Sequence, residues 1–195
     1  MSPSPIDLEP PADQNPAEEQ TNKTGQLARD IIEIIVLAAV LFLAVNAISA
    51  RIRVESISME PALNRDDFVL VDKISYRLGS PGRGDIIVFN YPIDPDQKYV
   101  KRIIGLPGEQ VKIANGRVQI DGQMLSEPYI RAAPIYEGSW EVPEDSYFVL
   151  GDNRNRSNDS HNWGMLPEEN VIGRGLLIYW PPNHIEFLIG GNTGD

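Results

Sequence analysis

The sequence predicts a mainly β protein carried on one membrane-spanning helix. Three observations lead there. A single uninterrupted apolar stretch, Ile31 to Ala50, is as long as a bilayer is thick. Every later apolar run is short and alternating. Turn-forming dipeptides recur between those runs, and no long amphipathic helix follows the apolar stretch.

Residues 1–26 carry Pro3, Pro5, Pro10, Pro11 and Pro16 among Asp7, Glu9, Asp13, Glu18 and Glu19. Such a composition buries too little apolar surface to offset its ordering entropy, which predicts a disordered acidic tail. Ile31 to Ala50 reads IIEIIVLAAVLFLAVNAISA. Twenty residues at about 1.5 Å each reach about 30 Å, the thickness of a hydrocarbon core. Residues 27–50 are therefore read as a transmembrane signal-anchor helix. A cleaved signal peptide is the rival reading, but the run is long for one and the residues before it are acidic. Ala47-Ile48-Ser49 is the nearest approach to a small-x-small cleavage site. Lys23 and Arg29 precede the span while Arg51, Arg53 and Arg65 follow it, so loop charge does not orient it.

Residues 51–195 supply about 145 residues, enough for one good core or two small lobes. Strands are predicted at 51–56, 68–74, 85–90, 98–104, 110–113, 117–120, 147–150 and 176–179. Gly79-Ser80-Pro81-Gly82, Pro107-Gly108, Asn115-Gly116 and Asp121-Gly122 separate them. Val111-Lys112-Ile113, then Asn115-Gly116, then Arg117 to Ile120 is a hairpin signal. No internal repeat occurs.

The net charge of -11 argues against a nucleic-acid partner, because phosphate backbones reward clustered Lys and Arg. The absence of cysteine excludes disulfides, thiolate catalysis and cysteine-ligated zinc. No cofactor or metal is called for.

Ser58 lies in Ser56-Ile57-Ser58-Met59-Glu60-Pro61, just beyond the span. A serine in a turn is ordinarily a solvated hydroxyl, and as a nucleophile it needs a base. Only two histidines exist, His161 and His184. Lys101 is the other candidate. It must be desolvated to lose its proton, and Tyr99, Val100, Ile103 and Ile104 offer apolar surroundings. Read blandly, Lys101 is a strand-edge cation, with Arg102 solvated on the opposite face. A third cluster, Gly151-Asp152-Asn153-Arg154-Asn155-Arg156-Ser157-Asn158-Asp159-Ser160-His161, suits a loop of Asx and Ser turns. A calcium loop is the rival there, but Arg154 and Arg156 fall where acceptors are wanted. The Asn155 and Asn158 glycosylation patterns carry little weight. A Ser58–His161–Asp159 triad is conceivable too.

Ser-x-Ser-Met-x-Pro, Lys-Arg-x-x-Gly-Leu-Pro-Gly-Glu and Gly-Asp-Asn-Arg-x-x-Ser-x-Asp-Ser, in that order behind a span, resemble type I signal (leader) peptidases. These are membrane-bound Ser/Lys proteases. The likeness runs from about Leu27 to Trp180 and is nearest to bacterial and cyanobacterial or plastid members. It implies an all-β, LexA-like catalytic domain of coiled antiparallel sheets, with a small inserted lobe near 111–147. It implies Ser58 as nucleophile and Lys101 as general base. The oxyanion hole would comprise the Ser58 N–H and the Ser56 hydroxyl. Ser157 would hydrogen-bond the Lys101 amine, and Asp152 and Asp159 would hold the loop that carries it. Val54, Val88 and Val100 would line pockets for the small residues of an Ala-x-Ala site. The partners implied are signal peptides of secreted preproteins and the lipid bilayer. The tail would lie inside, and the catalytic domain on the periplasmic or lumenal side of a plasma or thylakoid membrane. Apolar residues flanking Ser58, Met59 among them, would rest on lipid.

Two positions depart from the family pattern. His161 stands where an arginine is usual, so Asp159 would pair with a group that can carry its own pH dependence. Ala62 replaces a common threonine. The competing readings are a LexA-type self-cleaving protease, disfavoured by the anchor and the lack of a DNA-binding helix pair, and an inactive membrane-tethered scaffold.

Overall fold

The computed structural model describes residues 16–188, and the first fifteen residues of the expected tail lie outside them. The chain forms two compact units that meet in sequence between Val45 and Asn46. The first is dominated by helix α1 (Pro16–Ile48). Its sequence explains its start. Pro16 suits a first helical turn, and the Ala17-Glu18-Glu19-Gln20 that follows is rich in helix formers with acidic groups near the positive end of the dipole. The helix thus begins at Pro16, within the segment 1–26 read from sequence as a tail. The portion Gln26–Ile48 is 23 residues long and apolar enough to cross a bilayer. Its leucines, isoleucines and valines are exposed, Leu37 by 67% and Leu43 by 65%. A surface of that kind has hydrocarbon as its natural medium. The helix ends two residues before the expected span does, because Ser49 and Ala50 already pair in the first strand.

Among the described residues the second unit contains twelve strands: β1 (Ser49–Arg53), β2 (Phe68–Asp72), β3 (Ile86–Asn90), β4 (Lys98–Gly105), β5 (Gln110–Ala114), β6 (Arg117–Ile120), β7 (Gln123–Met124), β8 (Gly138–Glu141), β9 (Ser146–Leu150), β10 (Leu166–Pro167), β11 (Val171–Trp180) and β12 (Glu186–Phe187). Two one-turn helices, α2 (Ser75–Leu78) and α3 (Ser160–Trp163), sit in connections. The larger sheet runs β1-β2-β11-β3-β4-β9-β10, with β12 added to β11. The smaller runs β7-β6-β5-β8. All pairings are antiparallel. The protein is mainly β, as its alternating runs predict.

Strand alternation explains where the core sits. Ile86 and Val88 enter one cluster with Val54, Met59, Leu63, Val69 and Val71. Ile87 and Phe89, their neighbours in sequence, enter another with Ile103, Tyr147 and Val149. On β9, Phe148 and Leu150 turn instead toward Val111, Ile113 and Val118 of the smaller sheet. The large sheet is covered on both faces there, which is why β3 and β9 read as continuous apolar runs. The β5–β6 hairpin turns on Asn115 and Gly116, both at positive φ, with Ala114 opposite Arg117. The sequence pattern starts the corresponding strand at Leu176, whereas β11 begins at Val171 and includes Gly173 and Gly175. The pairing with β2 and β3 carries through both.

Two buried ion pairs brace the loop after β9. Arg154 is 1% exposed and donates to Glu127 at 3.1 and 2.5 Å. Arg102 donates to Asp152 at 2.8 and 2.6 Å and to the Gly84 carbonyl at 2.8 Å, and it lies over the Tyr129 ring. The solvated Arg102 of the bland reading is therefore incorrect. The opposite face of β4 is not open to water but covered by the residues around Tyr129, so the guanidinium is buried and paired. Removing one partner strands the other charge. Glu127→Ala is expected to lower the unfolding free energy by about 3–5 kcal/mol in a denaturant titration, whereas Arg53→Ala, breaking the exposed Arg53–Asp66 pair, should cost under about 1 kcal/mol.

Candidate active site

After β1 the chain makes a tight excursion before returning as β2. Val54 N–H donates to the Asp67 carbonyl and Asp66 N–H to the Val54 carbonyl, closing its base. Within it, Glu60 N–H bonds the Ile57 carbonyl and Leu63 N–H the Met59 carbonyl. Met59 and Leu63 are fully buried and pin the turn to the core. Met59 therefore does not face lipid as expected. Its side chain fills the apolar interior beneath the turn, where burial is more favourable than exposure.

This turn fixes Ser58, which is 6% exposed. The Ser58 carbonyl accepts from Asn153 N–H at 3.0 Å, and the Ile57 carbonyl accepts from the Asn153 side-chain amide at 3.1 Å. Gly151 makes that approach feasible: a β-carbon there would overlap both the Ser58 carbonyl and Ser157 Oγ. Asn153 and Gly151 lie in the third motif, but chain spacing gives no sign that they clasp the first.

Lys101 comes from β4, between β3 and β9, and is 3% exposed. Its Nζ donates to Ser58 Oγ at 2.8 Å and to the Val100 carbonyl at 3.0 Å, and stands 5.3 Å from the Tyr99 ring centre. Ser56 Oγ is 3.1 Å from Ser58 Oγ. Burial depresses the Lys101 pKa to about 8, because desolvation penalises the ammonium. The Asp159 and Asp152 carboxylates oppose the shift without cancelling it. A near-neutral pH thus leaves an appreciable fraction of free amine beside the hydroxyl.

The loop residues are placed unevenly. Asp152 is held by Arg102. Asp159 is fully buried, accepts from Gly151 N–H at 2.9 Å and lies 2.5 Å from His161 Nδ1. The hydrogen bond expected from Ser157 to Lys101 is not formed. Lys101 Nζ is instead engaged by Ser58 and the Val100 carbonyl, while Ser157 Oγ is buried against Gly151 without a partner among the described residues. The Ser58–His161–Asp159 triad does not assemble either. His161 stacks on Tyr136 at 3.8 Å, and the hydroxyl of Ser58 meets Lys101 and Ser56.

Val54, Val88 and Val100 line one cleft of about 660 Å³ together with Ser58 and Lys101. Val88 faces Val100 across the β3–β4 pairing. Polar and charged groups, Glu55, Asp96, Lys98, Arg156 and Asn158, stand around the apolar part.

Comparison with known proteins identifies the family. The family described as signal peptidase, peptidase S26, matches residues 28–180. A probable signal peptidase I-2 of Synechocystis is 45% identical over 161 residues, covering 78% of this chain and 73% of its own. A signal peptidase I of Leptolyngbya laminosa is 44% identical over 194 residues, 94% of either chain. The chloroplast thylakoidal processing peptidase 1 of Arabidopsis thaliana is 35% identical over 147 residues, 70% of this chain and 43% of its own length.

The buried amine has a stability signature. Unfolding restores the Lys101 pKa from about 8 toward 10.5, so between those values the unfolded state binds more protons and stability rises with pH. Below about pH 8 the full penalty is present. Lys101→Met should therefore melt several degrees above wild type at pH 7, with the gap closing as the pH approaches 10.5. Thermal melts of detergent-solubilised protein across that range measure it.

Proposed function

Because this chain belongs to the signal peptidase family, peptidase S26, we propose that it is a membrane-bound serine endopeptidase removing N-terminal signal peptides from exported preproteins after Ala-x-Ala sites, with Ser58 and Lys101 as a catalytic dyad. The observation that carries this reading is the 2.8 Å contact between a buried Lys101 Nζ and Ser58 Oγ. A serine hydroxyl needs a base within hydrogen-bond reach, and a desolvated lysine with a pKa near 8 can be one.

The chemistry follows from the geometry. With Lys101 neutral, its lone pair takes the Ser58 proton as Oγ bonds to the scissile carbonyl carbon. Negative charge then moves to the carbonyl oxygen. The Ser58 N–H, free of any backbone acceptor among the described residues, and the Ser56 hydroxyl are the donors for it. Collapse breaks the peptide bond, and the Lys101 ammonium returns the proton to the departing amine of the mature protein. The signal peptide remains as an ester on Ser58. Water attacks that ester, Lys101 takes its proton, and the proton passes to Ser58 Oγ as the carboxylate leaves.

Specificity follows from the walls. Val54, Val88 and Val100 line the cleft beside Ser58 and Lys101, and on this reading their apolar side chains receive the small residues of the Ala-x-Ala site. Asp152 and Asp159 hold the loop that buttresses Ser58 through Gly151 and Asn153, and Ser157 belongs to the same support. Helix α1 anchors the chain in the bilayer, with residues before it inside and the β unit on the periplasmic or lumenal side of a plasma or thylakoid membrane. Membrane tethering brings the site to substrates that are themselves inserted.

Cleavage of a preprotein bearing an Ala-x-Ala site by detergent-solubilised protein tests the reading. Ser58→Ala and Lys101→Ala should each reduce kcat by about a thousandfold or more while leaving the fold intact. Wild-type kcat/KM should rise with unit slope through a limb near pH 8, as Lys101 loses its proton. Loss of cleavage in His161→Ala with full activity in Lys101→Ala would place the base elsewhere. Leucine at the residue before the cut should lower kcat/KM by more than about tenfold.

A further inference from the structure

We propose that Arg156 is a specificity-determining residue, whose guanidinium receives an acidic side chain among the first three residues after the cut. The inference rests on the reading above, in which Ser58 attacks and the valines take the residues before the cut.

The two arginines of the short helical turn after β9, Arg154–Arg156, have opposite fates. Arg154 is buried on Glu127. Arg156 is exposed and lines the cleft, and its guanidinium has no hydrogen bond or ion pair among the described residues. Two other cations of the cleft are engaged. Lys101 donates to Ser58 Oγ, and Arg53 is paired with Asp66. Lys98 also lacks a partner, but Asp96 lies two residues away on the same wall, within about 7 Å along the chain, and offsets its charge. Neither Asp96 nor Glu55, the carboxylates that line the cleft, is in ion-pair contact with Arg156. An open guanidinium suits a carboxylate, which it can bind through two parallel N–H donors.

The backbone beneath Arg156 is fixed. Its N–H donates to the Asn153 carbonyl at 2.9 Å. The Asn155 side chain accepts from Ile135 N–H at 3.0 Å and donates to the Ala133 carbonyl at 2.9 Å, and Ser157 packs on Gly151. Binding at Arg156 therefore orders one side chain and not a loop, which keeps its entropic cost low. Arg156 also occupies an unspecified position of Gly-Asp-Asn-Arg-x-x-Ser, so its charge is this chain's own and not part of the motif.

The site's geometry sets which part of a substrate it meets. On β4, Lys101 stands at Ser58, Val100 comes next with Val88 opposite, and Lys98 lies three residues, about 10 Å, from Lys101. Residues before the cut, held at the valines, run from Ser58 toward Lys98. Arg156 belongs to the nucleophile end instead. A β-carbon on Gly151 would meet the Ser58 carbonyl and the Oγ of Ser157, the neighbour of Arg156, at once. An extended chain continuing through Ser58 leaves on that side. Its first three residues span about 10 Å, within which one side chain meets the guanidinium.

The test uses full-length protein in detergent and Ala-x-Ala preproteins carrying Asp, Asn or Lys at each of the first three positions after the cut. At one of them, wild type should favour Asp over Asn by about threefold in kcat/KM, and Asp over Lys by about tenfold. High salt should shrink both ratios. Arg156→Gln should bring them to about one, Arg156→Glu should reverse them, and Lys98→Gln should leave them as they are. A ratio that survives Arg156→Gln overturns the proposal. So does an equal loss of rate on all three substrates, which would mean that Arg156 only supports the loop, or a charge preference that Arg156→Gln alters only before the cut. Peptide binding to Ser58→Ala, followed by fluorescence anisotropy, decides the point without chemistry. Asp peptides should bind more tightly than Lys peptides, and adding Arg156→Gln should abolish the difference. Equal affinities in Ser58→Ala refute the role of Arg156, whereas absence of cleavage by wild type refutes the peptidase reading and leaves the binding result to judge Arg156.

Discussion

A protonated amine is more costly to bury than a neutral one, and the rest of the second unit is arranged around that cost at Lys101. The side chain enters from a central strand of the large sheet, where water is excluded by Tyr99 and the cleft walls, and ends on a serine hydroxyl. Burial of this depth requires a sheet covered on both faces. It also requires a turn that brings Ser58 to the amine with no slack. Met59 and Leu63 supply the second by sinking into the core on the far side of the turn.

Charge would defeat this arrangement if left unbalanced. Two carboxylates close enough to act on the amine would keep it protonated if they stood bare. Asp152 is paired with Arg102, and Asp159 accepts from the Gly151 N–H and lies against the His161 ring. Both lie in one loop, and the Arg154–Glu127 pair ties that loop to the segment before β8. The smaller sheet therefore contributes to the site indirectly. It packs on β9 through Val111, Ile113 and Phe148 and steadies the strand from which the loop departs.

Much of the fold is legible in the sequence because strand alternation and turn chemistry are local. The Asn115-Gly116 hairpin and the apolar runs at β3 and β9 could be read directly. Other features were not local. β8, with its Gly-Ser-Trp-Glu pattern, becomes a strand only because β5 offers it an edge. β11 runs through two glycines because β2 and β3 flank it. Residues 16–26 form helix because a helix of that length propagates through good formers once begun, whatever the prolines before them suggest.

The candidate site divides in the same way. Ser56, Ser58, Lys101 and the Gly-Asp-Asn-Arg loop were identifiable as residue types at particular places in the chain, because reactive groups and turn formers are local properties. Which of them touch was not. Forty-three positions separate Ser58 from Lys101, and only the sheet order brings them to hydrogen-bond distance. Tertiary structure alone decided that Asn153 holds the Ser58 turn, that Ser157 packs on Gly151 rather than bonding the amine, and that Arg102 is buried. The physical reason is range. Propensity, alternation and hydropathy act over a few residues, whereas desolvation and charge pairing depend on whatever the fold brings near from elsewhere in the chain.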